Sequence, residues 1–159
     1  MNADAAIAQR RELLTRKLRA IERLLHHLDY SRRQLAFPLT SVDALDDASL
    51  ESVSALIERF GKLQDLLGNV FREVLLLSGE DATDMNDVLS RLEKIGVIAS
   101  GDDWRALRAL RNLGAHDYDD DDRRKTGFVN ELGARSSLLT EATAGTLRYC
   151  REKLGLVPD

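Results

Sequence analysis

The chain has 159 residues, 43% hydrophobic and 31% charged, with Cys150 as its one cysteine. This length suits a single domain, 1–159, that can bury a core unaided, and the composition excludes both a disordered chain and a disulfide-stapled scaffold. The net charge of −4 conceals an asymmetry: residues 1–35 hold eight Lys and Arg against four Asp and Glu, and the remainder is acidic.

Leu, Ala, Arg, Glu and Asp dominate and only Pro38 and Pro158 interrupt them, which favours helix. Ile7, Leu14, Leu18, Ile21, Leu25 and Leu28 recur at the spacing of one helical face, predicting a first helix from about 4 to 28. The stretch Ser31–Asp47, with Pro38 and several small polar residues, reads as a connection. Ser49 or Asp47 caps a second, long helix that turns Val53, Leu56, Phe60, Leu63, Leu67, Val70, Val74 and Leu77 inward and ends near Gly79. Its wide apolar face suits the centre of a bundle.

Thr83 caps a third helix carrying Met85, Val88, Leu89 and Leu92, with Gly96 as its stop. Ser100-x-x-Asp103 resembles a capping box for a fourth helix reaching about 115. After the acidic run Asp119–Asp122, whose charge suits a helix N-terminus, a last long helix buries Phe128, Leu132, Leu139, Thr143, Thr146, Cys150 and Leu154. No internal repeat and no strand-like alternation is present. The expected fold is all-α: an up-and-down four-helix bundle with an additional short helix. No apolar run approaches the roughly 18 residues of a membrane span, the N-terminus lacks an apolar signal core, and a lone cysteine suits a reducing compartment. The expectation is a cytoplasmic protein with no membrane partner.

Unrolled at about 100° per residue, the fourth helix divides sharply. Trp104, Ala106, Leu107, Leu110, Leu113 and Gly114 share the half to be buried. Arg111 stands at the boundary, and Arg108, Asn112, Arg105 and His116 fill the other half. Arginines give fixed charge and forked donors to a phosphate that gains negative charge in a transition state. A histidine titrating near neutrality can take a proton from a ribose 2′-hydroxyl and return one to the leaving oxygen. Such a set permits RNA cleavage without a metal; equally, spacing alone allows a solvated face of an amphipathic helix.

The pattern Arg111-x4-His116-x-Tyr118, with Asn112 after the arginine, resembles the HEPN superfamily and especially its HepT-like toxins. Glu58-Arg59-Phe60 and the Leu-Arg-Ala-Leu-Arg-Asn approach to the motif are similar to that group too, over roughly residues 50–150. The resemblance implies a HEPN-like bundle that forms a homodimer, with two motifs facing one RNA-binding cleft. It also implies a small nucleotidyltransferase-type (MNT) antitoxin as partner, which in some such systems adenylylates the motif tyrosine. Arg111, Asn112 and His116 would be catalytic: Arg111 would bind and stabilise the phosphate, Asn112 would orient it and His116 would do acid/base work. Arg105 and Arg108 would bind substrate, and Tyr118 would be the modification site. The function implied is a metal-independent endoribonuclease toxin; the alternative is a non-catalytic HEPN module that binds a nucleotide or partner beside a separate nucleotidyltransferase. Asp117 and Asp119–Asp122 set five carboxylates beside the motif, and these either point into the next helix's N-terminus or favour the second reading.

No metal site and no cofactor is expected. His26 and His27 are adjacent on a helix and so diverge, with no Cys or His cluster around them. Arg16, Arg19 and Arg23, followed by Arg32 and Arg33, form either a solvated face or an extension of an RNA track. Arg59 has either a structural ion pair, for example with Asp65 or Glu58, or a supporting role near the site. Trp104 and Cys150 are read as core.

Overall fold

The computed structural model describes residues 2–113 and 121–158, and every described element is helical. Five helices follow one another: α1 (Ala3–Arg33), α2 (Asp47–Leu77), α3 (Met85–Lys94), α4 (Gly101–Leu113) and α5 (Asp122–Leu154). Among the described residues no helix is long and apolar enough to cross a membrane.

The ends of these helices follow local chemistry. Asp46, with extended backbone, accepts from the Ser49 amide at 2.8 Å and is the α2 cap, where Asp47 or Ser49 was expected. Asp84 likewise caps α3 in place of Thr83; the Thr83 amide instead donates to Asp87 at 3.1 Å. Ser100 does cap α4, its Oγ accepting from the Asp103 amide at 3.1 Å. α2 and α3 stop at Gly79 and Gly96, whose φ of 74° and 81° is the left-handed region that glycine enters without strain. α1 runs one turn further than its spacing predicts, because Ser31 is buried and still packs inward.

Contacts between side chains give the helix directions. Lys17 reaches Asn69 at 2.6 Å and Arg59 reaches the His27 carbonyl at 3.0 Å, so α1 and α2 are antiparallel. Arg11 donates to the Leu154 carbonyl and Arg32 to that of Gly133, at 2.7 and 2.9 Å, which makes α5 antiparallel to α1. α4 lies against both α2 and α5, while α3 bridges α2 and α4. Arg59 is therefore a strap between helices, bonded to His27 and Ser31, and not the partner of Asp65 or Glu58. Glu58 is held by Lys62 at 2.7 Å on its own helix, which keeps its carboxyl below the usual range.

The core gathers Leu14, Leu18, Ile21 and Leu28 from α1, most of the α2 face, and Val129, Leu132 and Leu139 from α5. Each such side chain, fully buried, contributes about 1.5–3 kcal/mol. Trp104 and Cys150 are buried as expected, and the Trp104 and Phe71 rings meet edge to face with centroids 4.6 Å apart. Burial pushes the Cys150 thiol up to about 12. Two apolar positions depart from the helical wheel. Ile7 and Leu113 are 50% and 48% exposed, because Leu14 is the first and Leu110 the last buried residue on its helix. Close approach explains Gly145: a Cβ there would stand 2.3 Å from the Val97 carbonyl oxygen, so α5 meets the α3–α4 turn through a residue without a side chain.

Candidate functional site

α4 starts at Gly101, whose amide is held by Glu93 at 3.0 Å, and packs on α2 with Trp104 beside Gly68. Direct packing of Trp104, Leu107 and Leu110 fixes the rotation of α4, which turns Arg105, Arg108 and Asn112 outward. Between α2, α3 and α4 this leaves a groove of about 1010 Å³. All four of the predicted site residues that are described line it: Arg105, Arg108, Arg111 and Asn112. Their predicted companions His116 and Tyr118 lie outside the described residues, as do Gly114, Asp117, Asp119 and Asp120.

Arg111 has the most constrained side chain of the set. Its stem passes over Gly61, where a Cβ would sit 3.7 Å from Nε, and its Nε is buried with no hydrogen-bond partner among the described residues. Its Nη2 donates to Asp65 Oδ2 at 3.0 Å, while Arg108 Nη1 donates to Asp65 Oδ1, also at 3.0 Å. One carboxylate thus joins the two guanidinium groups. Arg105 is gripped differently, by Asn86 Oδ1 at 3.1 and 3.0 Å and by Asp102 at 2.9 Å. These bonds lie at the surface and hold geometry more than they add stability.

The sequence reading omitted Asp65, Asn69 and Arg72 from the site. They recur at four and seven along α2 and line the wall facing α4. That i, i+4, i+7 spacing is a signal present in the sequence. Asn86, from α3, completes the far end.

The other candidates are structural. Asp121 caps α5, accepting from the Arg124 amide at 3.1 Å. Asp122 turns to the α1–α2 connection, where it accepts from the Asp43 amide at 2.8 Å and the Ser41 hydroxyl at 2.7 Å. These bonds hold its carboxyl below the ordinary range, the Asp43 amide first. Two of the five acidic neighbours of the motif thus serve the fold, Asp121 as the α5 cap and Asp122 as the tie to the α1–α2 connection. Arg16 pairs with Glu12 at 2.6 Å, Arg33 with Asp29 at 3.4 Å, and Arg32 caps the Gly133 carbonyl, so these three are committed within the fold. His26 and His27 are exposed, one ring edge-on to the other at 5.5 Å. Among the described residues no group of three or more His, Cys, Asp or Glu side chains gathers as a metal site.

The lining of the groove sets four arginines, Arg72 included, against one lining carboxylate, Asp65, in a chain whose net charge is −4, a composition that can receive an anion. No protein-family model matches the chain, and no curated protein matches it.

Proposed function

We propose that this protein is a metal-independent endoribonuclease toxin of HEPN-like, up-and-down bundle architecture, acting as a homodimer and opposed by a nucleotidyltransferase-type antitoxin. The single observation that carries this reading is the arginine excess of the α2–α3–α4 groove in a chain of net charge −4, with Arg111 of the Arg111-x4-His116 motif among its lining. In this reading Arg108 and Arg111 take the scissile phosphate and Asn112 orients it. His116 removes the proton from the ribose 2′-hydroxyl; the 2′-oxygen attacks phosphorus, the bond to the 5′-oxygen breaks, and that oxygen takes a proton. The products are a 2′,3′-cyclic phosphate and a 5′-hydroxyl end. Tyr118 is the proposed adenylylation site, where an added phosphate would repel the RNA.

The Asp65 bridge supports a second reading, a non-catalytic module in which the groove binds a nucleotide or partner, because it engages two of the arginines and offsets half of their charge. Single-turnover cleavage in excess chelator separates the two. His116→Ala is expected to lose roughly 10²–10⁴ in rate while RNA binding stays within about twofold. If His116→Ala cuts RNA as well as wild type, the ribonuclease reading fails and the binding module replaces it.

A further inference from the structure

We infer that the far end of the groove, built by Arg72, Arg105, Asn69 and Asn86, is a second phosphate subsite for the same RNA strand. The inference rests on the RNA reading above and adds to it a place and a ligand residue that the motif does not supply.

Positive charge stands at two levels of the groove, Arg108 and Arg111 of α4 at one, and Arg72 of α2 with Arg105 of α4 at the other. On α2, Arg72 stands seven residues beyond Asp65, which anchors the Arg108–Arg111 end; on α4, Arg105 stands six residues before Arg111. At about 1.5 Å per residue, the two levels are roughly 10 Å apart on either wall. A strand at roughly 3.4 Å per stacked nucleotide covers that distance in about three nucleotides. A phosphate held at Arg108 and Arg111 therefore places another phosphate of the strand at Arg72 and Arg105.

The hydrogen-bonding capacity of this end is one-sided. Asn69 Oδ1 accepts from Lys17 Nζ at 2.6 Å, and Asn86 Oδ1 accepts from Arg105 Nε and Nη2 at 3.1 and 3.0 Å. Cations on the carbonyl oxygens leave each amide its NH₂ group to offer, which can only donate. Arg72 is exposed and makes no ion pair or hydrogen bond among the described residues. Asp65, the lone carboxylate lining the groove, is engaged at the other end, and Asp102 bonds Arg105 while itself 95% exposed. The occupant must therefore bring acceptors and negative charge, as a phosphodiester does.

Its floor narrows the choice further. Its apolar lining includes Met85, part-exposed, and Ala109, exposed, beside Gly68 and the buried Leu89 and Trp104. An unpaired strand can lay a base on this apolar strip while its phosphates meet the rims. A duplex keeps its bases turned inward and would leave the strip uncovered.

Fluorescence anisotropy on the full chain tests this with labelled diuridylate, hexauridylate and a hexamer duplex, all 2′-O-methylated so that no 2′-hydroxyl is present to cleave them, using wild type, Arg72→Ala and Arg72→Lys. Wild type should bind the hexamer on the order of tenfold more tightly than the dimer, and more tightly than the duplex. Arg72→Ala should weaken hexamer binding about fivefold, lower the dependence of log K on log salt by about 0.7, and leave the dimer unaffected. Arg72→Lys should recover most of that loss, since a point charge serves a phosphate. Hexamer binding by Arg72→Ala with wild-type affinity and salt slope overturns the subsite while leaving the ribonuclease reading standing. Equal losses on dimer and hexamer, or equal affinity for the duplex, overturn it as well. If wild type binds none of these RNAs, the subsite and the RNA reading fall together.

Discussion

The polar cluster that pins the α1–α2 connection onto α5 and the arginine groove on α4 use similar residues toward opposite ends. In the first, donors and acceptors are matched. Asp122 takes the Asp43 amide and the Ser41 hydroxyl, Lys125 meets Asp43 at 2.5 Å, and Thr126 accepts from the Val42 amide at 2.9 Å. Asn130 holds both backbone groups of Leu39, accepting from its N–H at 2.7 Å and donating to its carbonyl at 2.9 Å. In the groove the count is unbalanced: guanidinium and amide donors exceed the one lining carboxylate. A polar cluster closed on itself is glue; one left with surplus donors is prepared for a ligand.

Breaking the matched cluster should have the largest effect. Asn130→Ala leaves the N–H and C=O of Leu39 without their partners and should cost about 2–3 kcal/mol, read as a lower urea midpoint. RNA affinity, measured under native conditions, should not change. A parallel loss of binding would show that the two regions are not independent.

Asp65→Asn acts on the other side of the comparison. It removes two surface pairs, so stability should move by less than about 1 kcal/mol. With the lone lining carboxylate gone, RNA affinity should rise roughly threefold. Weaker binding by this variant would instead show that Asp65 aligns Arg108 and Arg111 for the phosphate.

The smallest effect is on pH dependence. The folded-state value of Asp122 lies below its unfolded value, near 4, so its contribution is complete above that range and is lost as pH falls through the lowered value. Circular dichroism of wild type and Asp122→Asn should show a stability difference that is constant near neutrality and shrinks in acid. A difference independent of pH would assign Asp122 no role through its charge.

Much of the fold was legible because helices are local. The 3.6-residue recurrence of Leu14, Leu18, Ile21 and Leu28 marks a face, and Gly79 and Gly96 mark stops, without reference to any distant residue. Caps were legible in kind but displaced by a few residues, since Asp46, Asp47 and Ser49 are all competent and backbone conformation selects among them. For the site, the outward arc of Arg105, Arg108 and Asn112 followed from the wheel, as did Arg111 at its boundary.

Periodicity identifies which face of a helix is apolar but not which helix it meets, and that is where the tertiary structure decided. Whether Arg59 straps α2 to α1 or pairs with Asp65 depends on the antiparallel register of two helices. So does the placement of Asp65, Asn69 and Arg72 opposite α4, which turns an exposed row on α2 into one wall of a groove. Leu113 shows the same limit from the other side: the wheel assigns it inward, but burial requires a neighbour, and the buried part of α4 ends at Leu110. From its own residues the chain specified five helices and an arginine-rich arc; what that arc confronts was settled only when α2 and α3 packed beside it, because ion pairs and grooves form between elements distant in sequence.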